Sequence, residues 1–240
     1  IGLRVAAAFS GSIEGNAVHD SSTGLSYEAP AATSGNRIYG NTVGAVVTVP
    51  GDIEGFGFVG DASPNEIYEN GVGVRLEGGR MQGQHLHDNT GAGVTGTGIL
   101  GGNDLHHANV IEGHSAGVAD FTGTIQFNRI AENTTGIEAT SGLKIFNNLI
   151  YRNTLQGIHT GGVSDVRILH NTLYAPTGDN IRIENRAGQT TGSSNVEVRS
   201  NILWADAGYD IYVANNSQSG FFSDYNTLWS TGDGKLVYWT

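Results

Sequence analysis

Two neighbouring stretches decide the fold: Asn128-Arg-Ile-Ala-Glu-Asn-Thr-Thr-Gly-Ile137 and Asn148-Leu-Ile-Tyr-Arg-Asn-Thr-Leu-Gln-Gly-Ile158. Each has an aliphatic residue two positions after an asparagine, then a second asparagine, a glycine and another aliphatic residue. The first half of this pattern occurs ten times, at spacings of 19 to 30 residues, with glutamine once in place of asparagine. The ten copies begin at Asn16, Asn36, Asn65, Gln84, Asn109, Asn128, Asn148, Asn171, Asn201 and Asn226. A repeat of this length predicts a solenoid, in which each unit buries its apolar side against the next.

The apolar residues around each asparagine predict the path of one coil. Ile168 and Leu173 both face inward but lie five positions apart, so the alternation of a strand changes phase between them. A bend must lie there, and Asn171 lies inside it. Asparagine tolerates the left-handed conformation of a bend, and stacked amides donate and accept hydrogen bonds along the solenoid axis. We therefore expect about three short strands and three bends in each coil.

The composition limits the class of protein. The 240 residues carry a net charge of −11 and only two lysines, Lys144 and Lys235, so no basic stripe is present to bind nucleic acid. The same charge opposes binding of strongly anionic polymers. No apolar run approaches the ~20 residues of a membrane helix, which predicts no membrane insertion. Cysteine is absent, which excludes disulfides and thiolate metal sites and suits an exported bacterial protein.

The repeat also predicts the domain organisation. It continues from Asn16 to Asn226 without a linker, so we predict a single domain over residues 1–240. Residues 236–240 read as an apolar strand, without the polar cap that the end of a solenoid needs. We therefore expect the domain to be part of a longer chain, and an uncapped end also predicts end-to-end self-association.

The pattern Asn-x-Ile/Leu-x-x-Asn followed by Gly-Ile/Val resembles the right-handed parallel β-helix repeat of the pectate-lyase-like superfamily. The resemblance covers nearly the whole chain and implies an all-β fold, a right-handed parallel β-helix solenoid of about ten coils. It implies no single function, because that superfamily includes pectate and alginate lyases, polygalacturonases, uronate epimerases, phage tailspikes and non-catalytic surface modules.

Motifs of the enzymes in that superfamily are missing from the sequence. There is no Asp-Asp pair as in polygalacturonases, no Asp-Pro-His as in uronate epimerases and no Arg-x-Pro-x-x-Arg as in pectate lyases. The lysine that alginate lyases of this fold use would be Lys144 or Lys235, and Lys144 has only Arg167 as a candidate partner. These departures put a catalytic function in doubt.

The residue after each inward aliphatic position faces outward, and four such residues form a continuous aromatic ladder. They are Tyr151, Tyr174, Trp204 and Trp229. Aromatic rings that recur roughly every 5 Å along a solenoid suit stacking on sugar rings, which predicts binding of a polysaccharide or cell-surface glycan. The alternative is that these rings only stabilise the sheet.

A second outward line carries the candidate catalytic residues Glu138, His159 and Arg182 on successive coils. Glu184 lies two residues after Arg182 and faces the same way. Arginine would neutralise a sugar carboxylate, and histidine or glutamate would move the proton beside it. A salt-bridged surface ladder is the alternative. We predict neither a cofactor nor a metal site, because the histidines around His85 and His114 lack metal-ligand spacing.

These observations predict an extracellular or cell-surface module that binds or scaffolds carbohydrate and is not catalytic. The first alternative is a polysaccharide lyase or epimerase that acts on a uronic-acid polymer near Glu138, His159 and Arg182. The second is a purely structural, self-associating rod. Exposed aromatic faces would favour the binding module, and a perturbed histidine or carboxylate in a groove would favour the enzyme.

Overall fold

The computed structural model describes residues 1–48, 57–59 and 63–239, which form a parallel β-solenoid of about ten coils. Three faces run along its axis. Face 1 precedes the bend that contains the repeated asparagine, face 2 follows that bend, and face 3 follows the next turn. Every strand pairing among the described residues is parallel and joins neighbouring coils, as the repeat predicts.

Face 2 is a ten-stranded sheet made of Ala17–His19, Arg37–Tyr39, Glu66–Tyr68, His85–His87, Val110–Glu112, Arg129–Ala131, Leu149–Tyr151, Thr172–Ala175, Ile202–Ala205 and Thr227–Ser230. Face 3 contains Leu3–Val5, Thr23–Tyr27, Val43–Val47, Val72–Gln82, Ala92–Leu100, Ala116–Gln126, Thr135–Glu138, Gln156–Gly161, Asp179–Glu184, Tyr209–Val213 and Lys235–Trp239. Face 1 contains Phe9–Glu14, Ala31–Ser34, Gly57–Val59, Lys144–Phe146, Arg167–Leu169, Glu197–Arg199 and Phe222–Asp224. Single turns of 3₁₀ helix lie at Leu105–His107 and Asn215–Ser217. No helix in the described part of the chain is long and apolar enough to cross a membrane.

Three coils depart from the predicted three short strands. Val72–Gln82, Ala92–Leu100 and Ala116–Gln126 each continue from face 3 into face 1 as one strand. Glycines at the corner make this possible. Gly96, for example, has a φ of +113°, and a Cβ there would lie 1.9 Å from the carbonyl oxygen of Leu76. The chain thus turns the corner within one strand, with a shift of register to the neighbouring coil at the corner.

The core is a set of aliphatic columns that run the length of the solenoid. On face 2 the middle residue of each strand points inward, and from Ile38 to Leu203 these residues are at most 1% exposed. The column consists of Ile38, Ile67, Leu86, Ile111, Ile130, Ile150, Leu173 and Leu203. Each such residue contributes about 1.5–3 kcal/mol of burial free energy, and each is shared between its own coil and the next.

The repeated asparagines form a buried ladder of hydrogen bonds, which we call the first amide ladder. Each Nδ2 donates to the side-chain oxygen of the next coil, as from Asn128 to Asn148 at 3.0 Å and from Asn148 to Asn171 at 3.0 Å. The same oxygen also accepts the backbone N–H of the preceding asparagine. Gln84 keeps its place in this ladder and accepts from Asn65 at 2.9 Å. The stacked amides predicted from the sequence are therefore present.

One detail of the predicted bend is wrong. In most coils the left-handed residue is the one before the asparagine, as with Phe127 (φ 51°), Asn147 (φ 56°) and His170 (φ 56°). That residue reverses the chain direction, and the asparagine that follows turns its side chain inward to the ladder. Asparagine is needed at the repeated position for its amide, which donates and accepts at once.

A second amide ladder lies at the turn between faces 2 and 3. It consists of Asn41, Asn70, Asn89, His114, Asn133 and Asn153. The glycine of each Gly-Ile or Gly-Val pair makes room for it, since a Cβ on Gly136 would lie 2.9 Å from Asn153 Nδ2. In the last coils the glycine is replaced by Asn180 and Asp210, which bond to each other at 2.8 Å in the same space.

His114 takes the place of an asparagine in the second amide ladder. Asn89 Nδ2 donates to His114 Nε2 at 3.0 Å, and His114 Nδ1 donates to Asn133 Oδ1 at 2.9 Å. Only the neutral imidazole protonated on Nδ1 satisfies both contacts. Burial lowers the pKa of His114 to about 4, because the imidazolium would be desolvated and would face an amide donor.

We predict that His114→Asn removes a source of acid sensitivity. The folded protein resists protonation of His114 between its ordinary pKa of 6.5 and about 4, so the wild type loses stability as the pH falls through that range. The unfolding free energy of the wild type should be about 2 kcal/mol lower at pH 5 than at neutral pH. The His114→Asn variant should not show this loss. Urea unfolding of both proteins between pH 4 and 8 measures the difference. Parallel pH profiles for the two proteins would contradict the assigned hydrogen bonds.

Candidate functional site

The predicted aromatic residues form one column on the outer surface of face 2. The strand register places Tyr151, Tyr174, Trp204 and Trp229 on successive coils. Trp204 is 44% exposed and Trp229 61% exposed, whereas both tyrosines are partly buried. The column therefore offers most of its aromatic surface at the two tryptophans.

Ring geometry differs between the two ends of face 2. Near the N-terminal end, Tyr39, Tyr68 and His87 stack almost parallel, with centroids 5.2 and 4.9 Å apart and interplanar angles of 13° and 6°. Their faces cover one another, so mainly ring edges remain for a ligand. Tyr174 and Trp204 have a similar centroid distance of 4.9 Å but an angle of 49°. This tilt leaves part of the Trp204 indole face open to solvent.

Hydrogen bonds to the turns after face 2 fix the tilted rings. Trp204 Nε1 donates to Thr231 Oγ1 at 2.9 Å, and the Thr231 hydroxyl donates to Asp206. The Tyr174 hydroxyl donates to Asp206 Oδ2 at 2.6 Å. The bonds from Thr231 and Tyr174 lower the pKa of Asp206, so its carboxylate is ionised at neutral pH. Both rings have their polar groups bonded inside the protein and present apolar surface in a fixed orientation.

The candidate catalytic residues lie side by side on the outer surface of face 3. The register pairs Glu138 with His159 and His159 with Arg182. His159 Nδ1 lies 2.8 Å from Glu138 Oε2, and its Nε2 lies 3.3 Å from Glu184 Oε1. Arg182 Nε donates to the same Glu184 oxygen at 2.9 Å. Glu184 thus joins the imidazole to the guanidinium, and we call these four residues the face 3 cluster.

Opposing effects set the charge of His159. Burial disfavours the imidazolium, since only 16% of the side chain is exposed. The hydrogen bond to Glu138 and the charges of Glu138 and Glu184 outweigh burial and raise the pKa of His159 above its ordinary value. Its Nε2 is buried without a hydrogen bond, because the contact with Glu184 is close enough but poorly directed. The two carboxylates therefore favour the protonated imidazole over the free base.

The guanidinium of Arg182 is also engaged within the protein. Its Nη1 donates to Asp179 Oδ2 at 2.7 Å, and its plane lies over the ring of Tyr212 at 3.9 Å. Tyr212 stacks in turn on Tyr238, with centroids 4.5 Å apart at 2°. Sequence reasoning missed Asp179, because residues three apart in a strand are expected on opposite sides. With Asp179, three carboxylates surround the imidazole of His159 and the guanidinium of Arg182.

The segment after Glu184 packs beside the face 3 cluster. A Cβ on Gly161 would lie 3.0 Å from His159 Cε1 and 3.5 Å from Arg186 Cα, so glycine lets this segment approach the imidazole. Ser193 Oγ holds the far end of the segment by donating to the carbonyl of Glu184 at 3.0 Å.

The histidines near the N-terminal half do not converge on one point. His85 Nε2 lies 3.0 Å from Glu112 and His87 Nδ1 lies 3.0 Å from Asp88, while His114 is buried in the second amide ladder. The described residues contain no group of three or more histidine and acidic side chains that could hold a metal ion.

The chain belongs to the right-handed β-helix family. The family model described as "Right handed beta helix region" matches residues 101–240, more than half of the chain. No curated protein sequence gives a significant match. The right-handed parallel β-helix predicted from the asparagine repeat is confirmed.

Solved structures with the same fold include two from bacteria. The alginate lyase from Paenibacillus sp. str. FPU-7 is similar with a TM-score of 0.62 and 12% identity, over 98% of this chain and 98% of that chain. The A-module of the Azotobacter vinelandii mannuronan C-5 epimerase AlgE6 is similar with a TM-score of 0.51 and 14% identity, over 95% of this chain and 76% of that chain. At these identities the likeness shows the fold alone.

We predict that His159→Gln destabilises the protein mainly at low pH. The raised pKa of His159 means that its ion pairs contribute fully below about pH 6.5 and are lost as the pH rises through the folded value. The difference in unfolding free energy between wild type and variant should be about 1 kcal/mol at pH 6 and shrink at alkaline pH. Urea unfolding across this range measures it, with His106→Gln, at an exposed histidine, as the control. A difference that grows with pH would contradict the bound imidazolium.

Proposed function

We propose that this β-helix is a non-catalytic polysaccharide-binding module that works outside the cell or at its surface. The observation that carries the proposal is the pair Trp204 and Trp229, in register on adjacent coils with 44% and 61% of their surfaces exposed. Exposed indoles are typical of binding surfaces, because they bury much apolar area with little loss of side-chain entropy, and the hydrogen bond to Thr231 also fixes the orientation of Trp204.

The direction of the aromatic column supports a polymeric ligand. Tyr174, Trp204 and Trp229 follow the solenoid axis at roughly 4.8 Å per coil, which is close to the length of one sugar unit. A glycan chain that lies along the axis can therefore place successive rings beside successive aromatic side chains. The two similar solved structures are named for alginate and mannuronan, which are polysaccharides, and their names support the same class of ligand.

The aromatic column gives stronger support for binding than the face 3 cluster does. The face 3 cluster gives little support for catalysis. Abstraction of a proton beside a uronate needs a free base and an unpaired cation. His159 lies between the carboxylates of Glu138 and Glu184, which favour its protonated form, and Arg182 is bonded to Glu184 and Asp179. A lyase or epimerase would have to break these ion pairs when its substrate binds.

The enzyme remains the second candidate because His159 combines a buried, unbonded Nε2 with two neighbouring carboxylates. Such a group could donate a proton to a leaving oxygen. A lyase would produce unsaturated sugars that absorb in the ultraviolet, and His159→Ala would abolish that absorbance.

End-to-end self-association also stays a prediction. The last described coil exposes Leu236, Val237 and Trp239.

We predict that Trp204→Ala and Trp229→Ala each weaken binding of a retained polysaccharide by about tenfold or more, because each removes a ring on which a sugar stacks. Affinity electrophoresis through gels loaded with single polysaccharides measures the effect. Phe222→Ala is the matched control, since Phe222 is an aromatic residue on face 1 whose exposure of 50% lies between those of Trp204 and Trp229. Unchanged circular dichroism and melting temperature show that the variants are folded. Equal retardation of all three variants and the wild type would overturn the proposal.

A further inference from the structure

We infer that the aromatic column takes a neutral polysaccharide and discriminates against uronic-acid polymers. This inference rests on the proposed function and names the class of its ligand. It concerns the same tryptophans, Trp204 and Trp229, and is carried by the charges around them.

One border of the aromatic column is acidic. Asp206 lies in the turn directly after the strand of Trp204, and it accepts hydrogen bonds from Tyr174 and Thr231. Both donors are neutral, so the negative charge of the carboxylate is not cancelled by the groups that bind it. A second carboxylate brought onto the indole of Trp204 would lie near this charge. Repulsion and the loss of hydration of both carboxylates would oppose its binding.

The other border of the aromatic column is uncharged. The outward residues two positions before Tyr174, Trp204 and Trp229 form a parallel column of Thr172, Ile202 and Thr227. Hydroxyl and methyl groups can contact a sugar but cannot neutralise a carboxylate. A uronate that stacks on Trp204 would therefore meet a charge of its own sign on one side and no cation on the other.

Arg152 and Arg182 already have acidic partners, and Arg129, which is exposed on face 2, lies three coils before Ile202 in the same outward column. Arg152 follows Tyr151 in the chain, and its Nη1 lies 3.5 Å from Glu132 Oε1. Arg182, on face 3, is bonded to Glu184 and Asp179. A uronate would have to compete with these carboxylates for either guanidinium, whereas a neutral sugar needs neither.

Face 1 offers an anionic polymer a cation away from the tryptophans. Lys144 and Arg167 are paired in register there, although Arg167 Nε is already 2.8 Å from Glu197 Oε2. This surface is separate from the aromatic column, which lies on face 2. Binding of a uronate polymer at Lys144 would leave the tryptophans uninvolved, so the two modes are distinguishable by mutation.

The test compares each neutral hexose polymer of a panel with the same polymer after oxidation of its C6 hydroxymethyl groups to carboxylates. The two ligands share backbone, linkage and length and differ only in charge. Affinity electrophoresis is run with wild type, Trp204→Ala, Trp229→Ala and Phe222→Ala, at low and high salt.

We expect oxidation to weaken the tryptophan-dependent binding by about tenfold or more. Binding of the neutral polymer should hardly change with salt, because no charge is neutralised.

A gain-of-function variant gives a second readout. Ile202→Lys places a cation on the uncharged border beside Trp204, at an exposed position where the fold should tolerate it. It should raise affinity for the oxidised polymer by about tenfold while leaving the neutral polymer unchanged. Ile202→Gln, which is long and polar but uncharged, is the control.

The outcomes separate the inference from the proposed function. If the oxidised polymer or alginate binds at least as tightly as the neutral polymer and binding is lost in Trp204→Ala, the inference is wrong and the function stands. If a uronate polymer is retained equally by the wild type and both tryptophan variants and no neutral polymer is retained, both the inference and the aromatic site are wrong. If no polysaccharide is retained at all, the proposed function fails and the inference fails with it.

Discussion

The unidirectional hydrogen bonding of the first amide ladder is the constraint on which the rest of the solenoid depends. Most of the side-chain oxygens accept both the Nδ2 and the backbone N–H of the preceding coil, as Asn148 does from Asn128. The backbone donor prevents the amide from flipping, so all amides in the ladder point the same way. A coil shifted by one residue would leave several of these donors unpaired in the core, which is costly. The ladder therefore holds neighbouring coils in one register.

This register creates the outer surface of the protein. Once coils are aligned, residues at equivalent positions form straight columns, and each column acquires the chemistry of its members. At one end of face 2 the members are tyrosines and histidines that stack parallel and cover one another. At the other end they are Trp204 and Trp229, which remain exposed. On face 3 the same alignment brings Glu138, His159 and Arg182 into one row. The column proposed to bind polysaccharide and the purely structural columns thus arise from the same alignment of coils.

Much of this arrangement follows from the sequence because the repeat is local. The step from Ile168 to Leu173 fixes the bend, and the residue after Leu173 must then face outward, which predicts the column of Tyr174 and Trp204. The ring tilt could not be predicted, since it depends on Asp206 and Thr231, which lie in turns of variable length. His114 was missed as a ladder member because an imidazole imitates an amide only when buried between two amides. The state of His159 likewise depends on carboxylates from two other coils.

The most direct test of this account is the unfolding free energy of Asn128→Ala, in the middle of the first amide ladder. The substitution removes the three hydrogen-bond contacts of Nδ2 and leaves the Asn109 amide with only one of its two acceptors, the carbonyl of Met81. We predict a loss of about 3 kcal/mol or more by urea unfolding. The control is Asn215→Ala, at an exposed asparagine, which should change the unfolding free energy by less than about 0.5 kcal/mol. Similar small losses for both variants would contradict the claim that the buried amides hold the coils together.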